Sequence, residues 1–415
     1  MTLSEDLQWR GLIKDKTFED VTWLDTPKTF YLGADCNSSD SLTIGNLAIF
    51  MTARRLKEAG WNTVLLVGGA TSLIGDPGGK DEERQLKTRE EIAANVAGIK
   101  AQVQKLFDGQ EFTLVDNYDW FKDLGYLDFL RDVGKNYSMT ELLQRDFIAS
   151  RIGEGGSGIS YAEFSYSLIQ GYDYWHLFRN LNVELQIGGS DQWGNMLSGA
   201  PLIRKKEGKE VHAFSMPLVI NKTTGKKFGK SEEGAVWLDP TKTTPTQFYQ
   251  FWINCDDEGV EDYLKVYTML PKEEVDAVME QHRQKPSERI AQSRLALEVT
   301  QIVHGADSAA NAQTVTGILT GIVALEEADD ASVEILRQEQ PAIHSANGGS
   351  IIEALVQASL ASSNSEARRL LQNNGISLNG QKVTRELFES NDFRNGKLLL
   401  RKGKKFKDTA LVELN

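Results

Sequence analysis

A chain of 415 residues, 40% hydrophobic and 25% charged, is long enough for two or three folded units, each with its own core. Its formal charge of −13 argues against nucleic acid binding over the whole surface, and leaves room for a local basic patch. Cys36 and Cys255 are the only cysteines and the histidines are scattered, which excludes a disulfide framework and a zinc spacing. No apolar run reaches about 18 residues and the N-terminus has no signal pattern, so a cytoplasmic protein without membrane contact is expected.

In chain order, residues 29–34 read as a strand, 45–59 as a helix, 63–68 as a strand, 89–107 as a helix and 112–116 as a strand. A further helix is expected over 161–180 and a strand over 183–188. Apolar strands alternating with amphipathic helices predict a doubly wound parallel α/β sheet, which binds ligands at the carboxyl ends of its strands. Polar and glycine clusters fall at those ends: Gly33 and Asp35, then Ser41 to Asn46 at a helix start, then Gly68, Gly69 and the run from Gly75 to Lys80. Asp116 and Asn117 follow the third strand, and Gly188 to Gln192 the fourth. On the 161–180 helix, Tyr166, Gln170 and Asp173 are spaced i, i+4, i+7 and share one face, a row suited to a ligand with an amine and a hydroxyl.

Two ammonium groups three residues apart around a glycine, Lys227-Phe228-Gly229-Lys230-Ser231, suit a polyphosphate. The stretch is one residue short of a P-loop and follows no clear strand, so a P-loop kinase is disfavoured. Gly153 to Gly158 matches G-x-G-x-x-G literally but follows a helical stretch at 140–152, and is expected to be a surface loop. Residues 349–415 hold 11 Lys and Arg against 7 Asp and Glu, a net +4, so residues 1–348 carry −17 of the total −13. Between these parts, residues 326–349 have the Ala, Ser, Asp and Glu composition of a linker.

Three stretches together resemble bacterial tyrosyl-tRNA synthetases, members of the class I aminoacyl-tRNA synthetases: Phe164 to Asp173, Gln186 to Asn195, and Lys227 to Ser231. The resemblance runs along essentially the whole chain and includes residues 247–254, like the opening of the family's anticodon-binding helices. It implies a Rossmann-like catalytic domain over 1–230, an α-helical anticodon-binding domain over 231–325, the linker, and an α+β S4-like RNA-binding domain over 350–415. The implied reaction is activation of L-tyrosine by ATP, with Mg²⁺ carried on the nucleotide and no resident metal, then transfer to tRNA(Tyr) by a homodimer.

By the same resemblance Tyr31 and Asp173 would bind the phenolic hydroxyl, Asp76, Tyr166 and Gln170 the ammonium group, and Asn117 and Gln186 would support that pocket. Gly33, Asp35, Gly45, Gly189, Asp191 and Gln192 would line the ATP site, with Lys80, Arg84, Lys227, Lys230 and Ser231 at the phosphates. Thr43 and Asn46 occupy the first signature, where the family has a histidine at the Thr43 position and Pro-Thr in place of Cys36-Asn37. In the tail, Arg368, Arg369, Lys404 and Lys405 would contact tRNA through phosphates. Two rivals share part of this pattern, tryptophanyl-tRNA synthetase and a non-catalytic RNA-binding protein on a synthetase fold.

Overall fold

The computed structural model describes residues 1–76, 87–107, 109–228, 230–231, 234–403 and 408–415, without the side chains of residues 146, 147, 150, 230 and 231. The chain divides into two compact units, Met1–Thr243 with Asn254–Leu295, and Thr244–Ile253 with Ala296–Asn415.

The first unit is built on a six-stranded sheet of β1 (Asp15–Lys16), β2 (Thr29–Ala34), β3 (Asn62–Val67), β4 (Thr113–Asp116), β5 (Leu185–Gly189) and β6 (His212–Met216). Its order is β1-β6-β5-β2-β3-β4, and every neighbouring pair is parallel except β1 with β6. β2 and β3 are almost continuous apolar runs because helices cover both faces of a parallel sheet. The doubly wound sheet expected from the sequence is present, with strand and helix limits displaced by a residue or two. The sequence reading missed β6, the antiparallel edge strand β1 and the short helix Gly69–Ile74.

The Tyr161–Leu181 helix crosses from β4 to β5 and has clear local causes. Ser160 Oγ accepts from Glu163 N and the Glu163 carboxylate accepts from Ser160 N, both at 3.2 Å, a reciprocal cap. The helix stops at Asn182, whose φ of 54° is a left-handed cap. Glu163 is also held in a buried pair by Arg151, 2.9 Å away, and Arg151 Nε donates to Gly158 O at 2.7 Å. That pair pins the glycine loop after Ile152, which is exposed and follows a helix, as expected.

The second unit holds a five-stranded sheet in the order β11-β10-β12-β13-β9. Its strands are β9 (Ala342–Ser345), β10 (Ile376–Leu378), β11 (Gln381–Lys382), β12 (Lys397–Lys402) and β13 (Thr409–Leu414). Strand alternation gives it two apolar faces. Leu398, Leu400, Ala410 and Val412 pack with Ile351, Leu355 and Leu371, whereas Leu399 and Leu411 pack with Val315, Leu319, Val333 and Leu336.

Residues 326–349, expected as a linker, are therefore corrected. They hold the Asp330–Glu339 helix, capped by Asp329, and β9, which lies parallel to the last strand. The polar composition reflects an amphipathic helix that buries only one side, and a short edge strand entered through Pro341, where a proline costs no ladder bond. The residues expected as one helical domain, 231–325, also divide between the units, with the Val260–Tyr267 and Lys272–Gln284 helices in the first. Among the described residues no helix is long and apolar enough to cross a membrane.

Candidate functional site

A cleft of about 270 Å³ opens at the carboxyl ends of β2 and β5 in the first unit. Of the expected residues, Tyr31, Gly33, Asp35, Thr43, Gly45, Asn46, Asp76, Tyr166, Gln170, Asp173, Gln186, Gly189, Asp191, Gln192 and Lys227 all line it. Lys80, Arg84, Lys404 and Lys405 lie outside the described residues. Lys230 and Ser231 form β7, a two-residue strand antiparallel to β8 (Gly234–Ala235).

At the deep end Tyr31 is 2% exposed and stands in register between Val64 of β3 and Gln186 of β5. Its hydroxyl is buried without a hydrogen-bond partner. Burial and then the Asp173 charge push its phenol well above the usual range, so it is a neutral hydroxyl able both to donate and to accept. Asp173, 2% exposed, accepts from Asn117 Nδ2 at 3.1 Å and from Trp120 Nε1 at 2.9 Å. Burial outweighs these two donors and moves its carboxyl up to about 7.

Asn117 does not line the cleft; it stands behind Asp173 and also bonds Thr71 Oγ1 at 3.2 Å and the Ala70 amide at 2.7 Å. Trp120 escaped the sequence reading. It lies outside the three motif stretches, and its face stacks on His176, one turn past Asp173, with ring centroids 4.3 Å apart.

Around the middle of the cleft Asp76 accepts from Gln192 Nε2 at 2.5 Å and Asn195 Nδ2 at 3.2 Å. Burial, then the charges of Asp76, Asp35 and Asp173, raise the Tyr166 phenol well above its usual range. Three carboxyl groups, Asp35, Asp76 and Asp173, with neutral donors between them favour a cationic group, such as a primary ammonium, at this depth.

The outer end is built from backbone. Gly189 ends β5, where a Cβ would come within 2.7 Å of Asp191 Oδ1 and displace that carboxylate from its present position. Thr43 is the N-cap residue of the Ile44–Glu58 helix; the Ile44 amide donates to Val236 O at 3.1 Å and the Asn46 amide to Thr43 O at 3.0 Å, which leaves the Gly45 amide, at the cleft, to favour an anion. Asn46 Oδ1 accepts from the Thr43 amide at 3.0 Å and the Thr43 hydroxyl at 2.9 Å, which occupies the hydroxyl proton and leaves the Asn46 amide donors unused. Asn37 does not face this end; it is buried, with its amide donating to Ser72 O at 2.8 Å.

The lysine loop continues a hairpin in which Ile220 pairs with Lys227 and the Phe228 amide donates to Val219 O at 2.8 Å. Lys227 Nζ lies 3.1 Å from Asp191, an exposed pair that a polyphosphate can displace at little cost. One end of the cleft thus suits a phenol, the middle an ammonium group, and the outer end phosphates.

Residues 25–319 match the family model of class I tRNA synthetases for W and Y, and residues 333–407 match that of the tyrosine–tRNA ligase SYY-like C-terminal domain. The chain is 43% identical to tyrosine–tRNA ligase 2 of Bacillus cereus over the full length of both. It is also 43% identical to the tyrosine–tRNA ligase of Macrococcus caseolyticus over 97% of each chain. Among solved structures, a C-terminally truncated mitochondrial tyrosyl-tRNA synthetase of Aspergillus nidulans superposes with a TM-score of 0.67 at 31% identity, over 75% of this chain and 92% of that one. This chain therefore belongs to the class I tRNA synthetases, in the tyrosine–tRNA ligase branch.

Proposed function

We propose that the cleft holds L-tyrosine with its phenol against Tyr31 and Asp173 and its ammonium group among Asp76, Tyr166 and Gln170. The observation that supports this most is the buried, unpartnered Tyr31 hydroxyl beside a buried carboxylate already held by two donors. A polar group left unpaired in the interior is costly, and a phenolic hydroxyl removes that cost by accepting from one partner and donating to the other.

In this reading the carboxylate of tyrosine attacks the α-phosphorus of ATP and pyrophosphate leaves, so the protein needs no nucleophile. Gly33, Asp35, Gly45, Gly189, Asp191 and Gln192 form the nucleotide wall, and Thr43 and Asn46 shape its phosphate end. Lys227, Lys230, Lys80 and Arg84 supply positive charge to the leaving group and Ser231 a neutral hydroxyl, and the charge counts most where negative charge grows in the transition state. Mg²⁺ would arrive on ATP; among the described residues no set of three or more His, Cys, Asp or Glu could hold a metal ion. Tyrosine then passes to the 3′ end of tRNA(Tyr), in the cytoplasm; fractionation of expressing cells should recover the activity in the cytoplasmic fraction.

We also read the protein as a homodimer. Tyr126, Leu127, Met139, Leu143, Ile152 and Tyr161 are exposed apolar residues that all fall in one stretch of the first unit, and the Tyr126 and Tyr161 hydroxyls lie 3.5 Å apart. Such a concentration is characteristic of a protein interface. Sedimentation velocity is expected to give twice the 46.2 kDa chain mass, and Leu127→Glu the mass of one chain.

For the second unit we propose an anticodon-side and tRNA-backbone role, spread over its Pro245–Ile253 and Ala306–Thr320 helices and the C-terminal sheet domain with Arg368, Arg369, Lys404 and Lys405. Arg368 lies only 3.6 Å from Glu386 in an exposed pair, which leaves it available to a phosphate. The double variant Arg368→Ala/Arg369→Ala should leave tyrosine-dependent ATP–pyrophosphate exchange unchanged. Its tRNA charging should fall about tenfold, with a shallower salt dependence of tRNA binding; unchanged charging would remove both arginines from the interface.

Exchange of pyrophosphate into ATP should depend on tyrosine and not on tryptophan. Tyrosyl-tRNA synthetases discriminate against phenylalanine by about 10⁵. Tyr31→Phe should narrow the ratio of kcat/KM for tyrosine over phenylalanine by about tenfold or more; an unchanged ratio would disprove the phenol assignment.

The Asp173 carboxyl, at about 7 in the free protein, also predicts a pH effect. A phenol donating to Asp173 favours its ionised form, so tyrosine binding should release a proton below that pH. The Kd for tyrosine should therefore fall as pH rises through about 7 and level off above it. Asp173→Asn should abolish this slope. On folding the sign is opposite: a raised carboxyl pKa costs stability as pH rises from about 4 to 7, because the ionised group must stay buried.

A further inference from the structure

The lysine hairpin is tied at its base to the segment that follows residue 254. Phe228, 5% exposed, stacks on Tyr263 with ring centroids 4.2 Å apart and planes at 25°. On the opposite strand of the hairpin, Asn221 Nδ2 donates to Asp256 Oδ1 at 3.0 Å. The Tyr263 hydroxyl donates to that same oxygen at 2.9 Å. Asp256 and Tyr263 therefore form one bonded unit that holds both strands of the hairpin, immediately next to Lys227.

A lysine on a long flexible stem loses much conformational freedom when it is ordered at a transition state. Fixing the backbone beside it beforehand lowers that cost, provided the fixed position lets the ammonium reach the phosphate end of the cleft. The geometry meets that condition, since Lys227 Nζ already reaches Asp191 at the edge of β5 from the tethered hairpin.

We propose that Tyr263 and Asp256 are positioning residues for tyrosyl-adenylate formation, acting through Lys227. The inference rests on the reading of Lys227 as a phosphate contact. Neither Tyr263 nor Asp256 lines the cleft, so direct contact with tyrosine or ATP does not account for an effect of either.

The test is single-turnover adenylate formation by the full-length protein, with tyrosine affinity from equilibrium dialysis and folding from circular dichroism. Tyr263→Leu should slow adenylate formation about tenfold with the tyrosine Kd within about twofold of the original. Tyr263→Phe, which keeps the stack, should restore the rate to within about threefold. On a Lys227→Ala background, Tyr263→Leu should cost less than about threefold, because its effect passes through the missing lysine. A full tenfold loss recurring on that background, or a tyrosine Kd raised in proportion to the rate loss, would overturn this inference and leave the phosphate reading intact. A silent Lys227→Ala would overturn the phosphate reading and this inference with it. Should Tyr263→Leu fail to fold, Asp256→Ala enters the same cycle with the same expected non-additivity.

Discussion

The winding of the sheet reverses between β2 and β5, and the site depends on that reversal. From β2 the chain moves outward to β3 and β4, then returns past β2 to form β5 and β6 on the other side. Right-handed crossovers running in opposite directions put their helices on opposite faces, so the carboxyl ends of β2 and β5 are left uncovered. Tyr31 and Gln186 face each other across this gap in register, and Asp35 and Asp191 continue from its two lips. Nucleotide and amino acid can then meet in one opening although their contacts come from residues more than a hundred positions apart in sequence.

Much of that arrangement is legible in the sequence because it rests on local periodicity. The spacing of Tyr166, Gln170 and Asp173 sets them on one helical face, and the structure turns that face into the cleft. What holds Asp173 is not local. Trp120 comes from a short segment after β4, and Asn117, expected to support the pocket, stands behind it and links Asp173 to Thr71. A buried carboxylate needs donors, and sequence alone states the need without naming the donors.

Residues 326–349 depart from the expected linker for a related reason. Residues 330–339 are polar overall, with buried Val333 and Leu336 facing one way, and β9 pairs with a strand about 70 residues further on. A composition average cannot register either fact. Two-sided burial of Leu399 and Leu411 against Leu398, Leu400 and Val412 makes β12 and β13 a central layer, so the segment before residue 350 completes their core. The family model for the C-terminal domain begins at residue 333, inside that helix.

The first signature shows how a departure from the family pattern is absorbed. Where the family has a proline, the Cys36 amide donates to Ser72 Oγ at 2.9 Å, and Ser72 Oγ in turn donates to Asp35 Oδ1 at 3.0 Å. A proline has no N–H and could not begin this chain. Asn37 closes it through Ser72 O, and Asn95 Nδ2 binds Cys36 O at 2.8 Å, so the turn after β2 is fixed by hydrogen bonds instead of a ring. At the helix start the histidine's place is taken by Thr43, whose proton is committed to Asn46 Oδ1. The donors left for a phosphate are then the Asn46 side-chain amide and the Gly45 backbone amide, which are neutral. On the proposed reading, charge stabilisation of the leaving pyrophosphate would then fall to the lysine loop, and the tether at Phe228 would hold the backbone from which it acts.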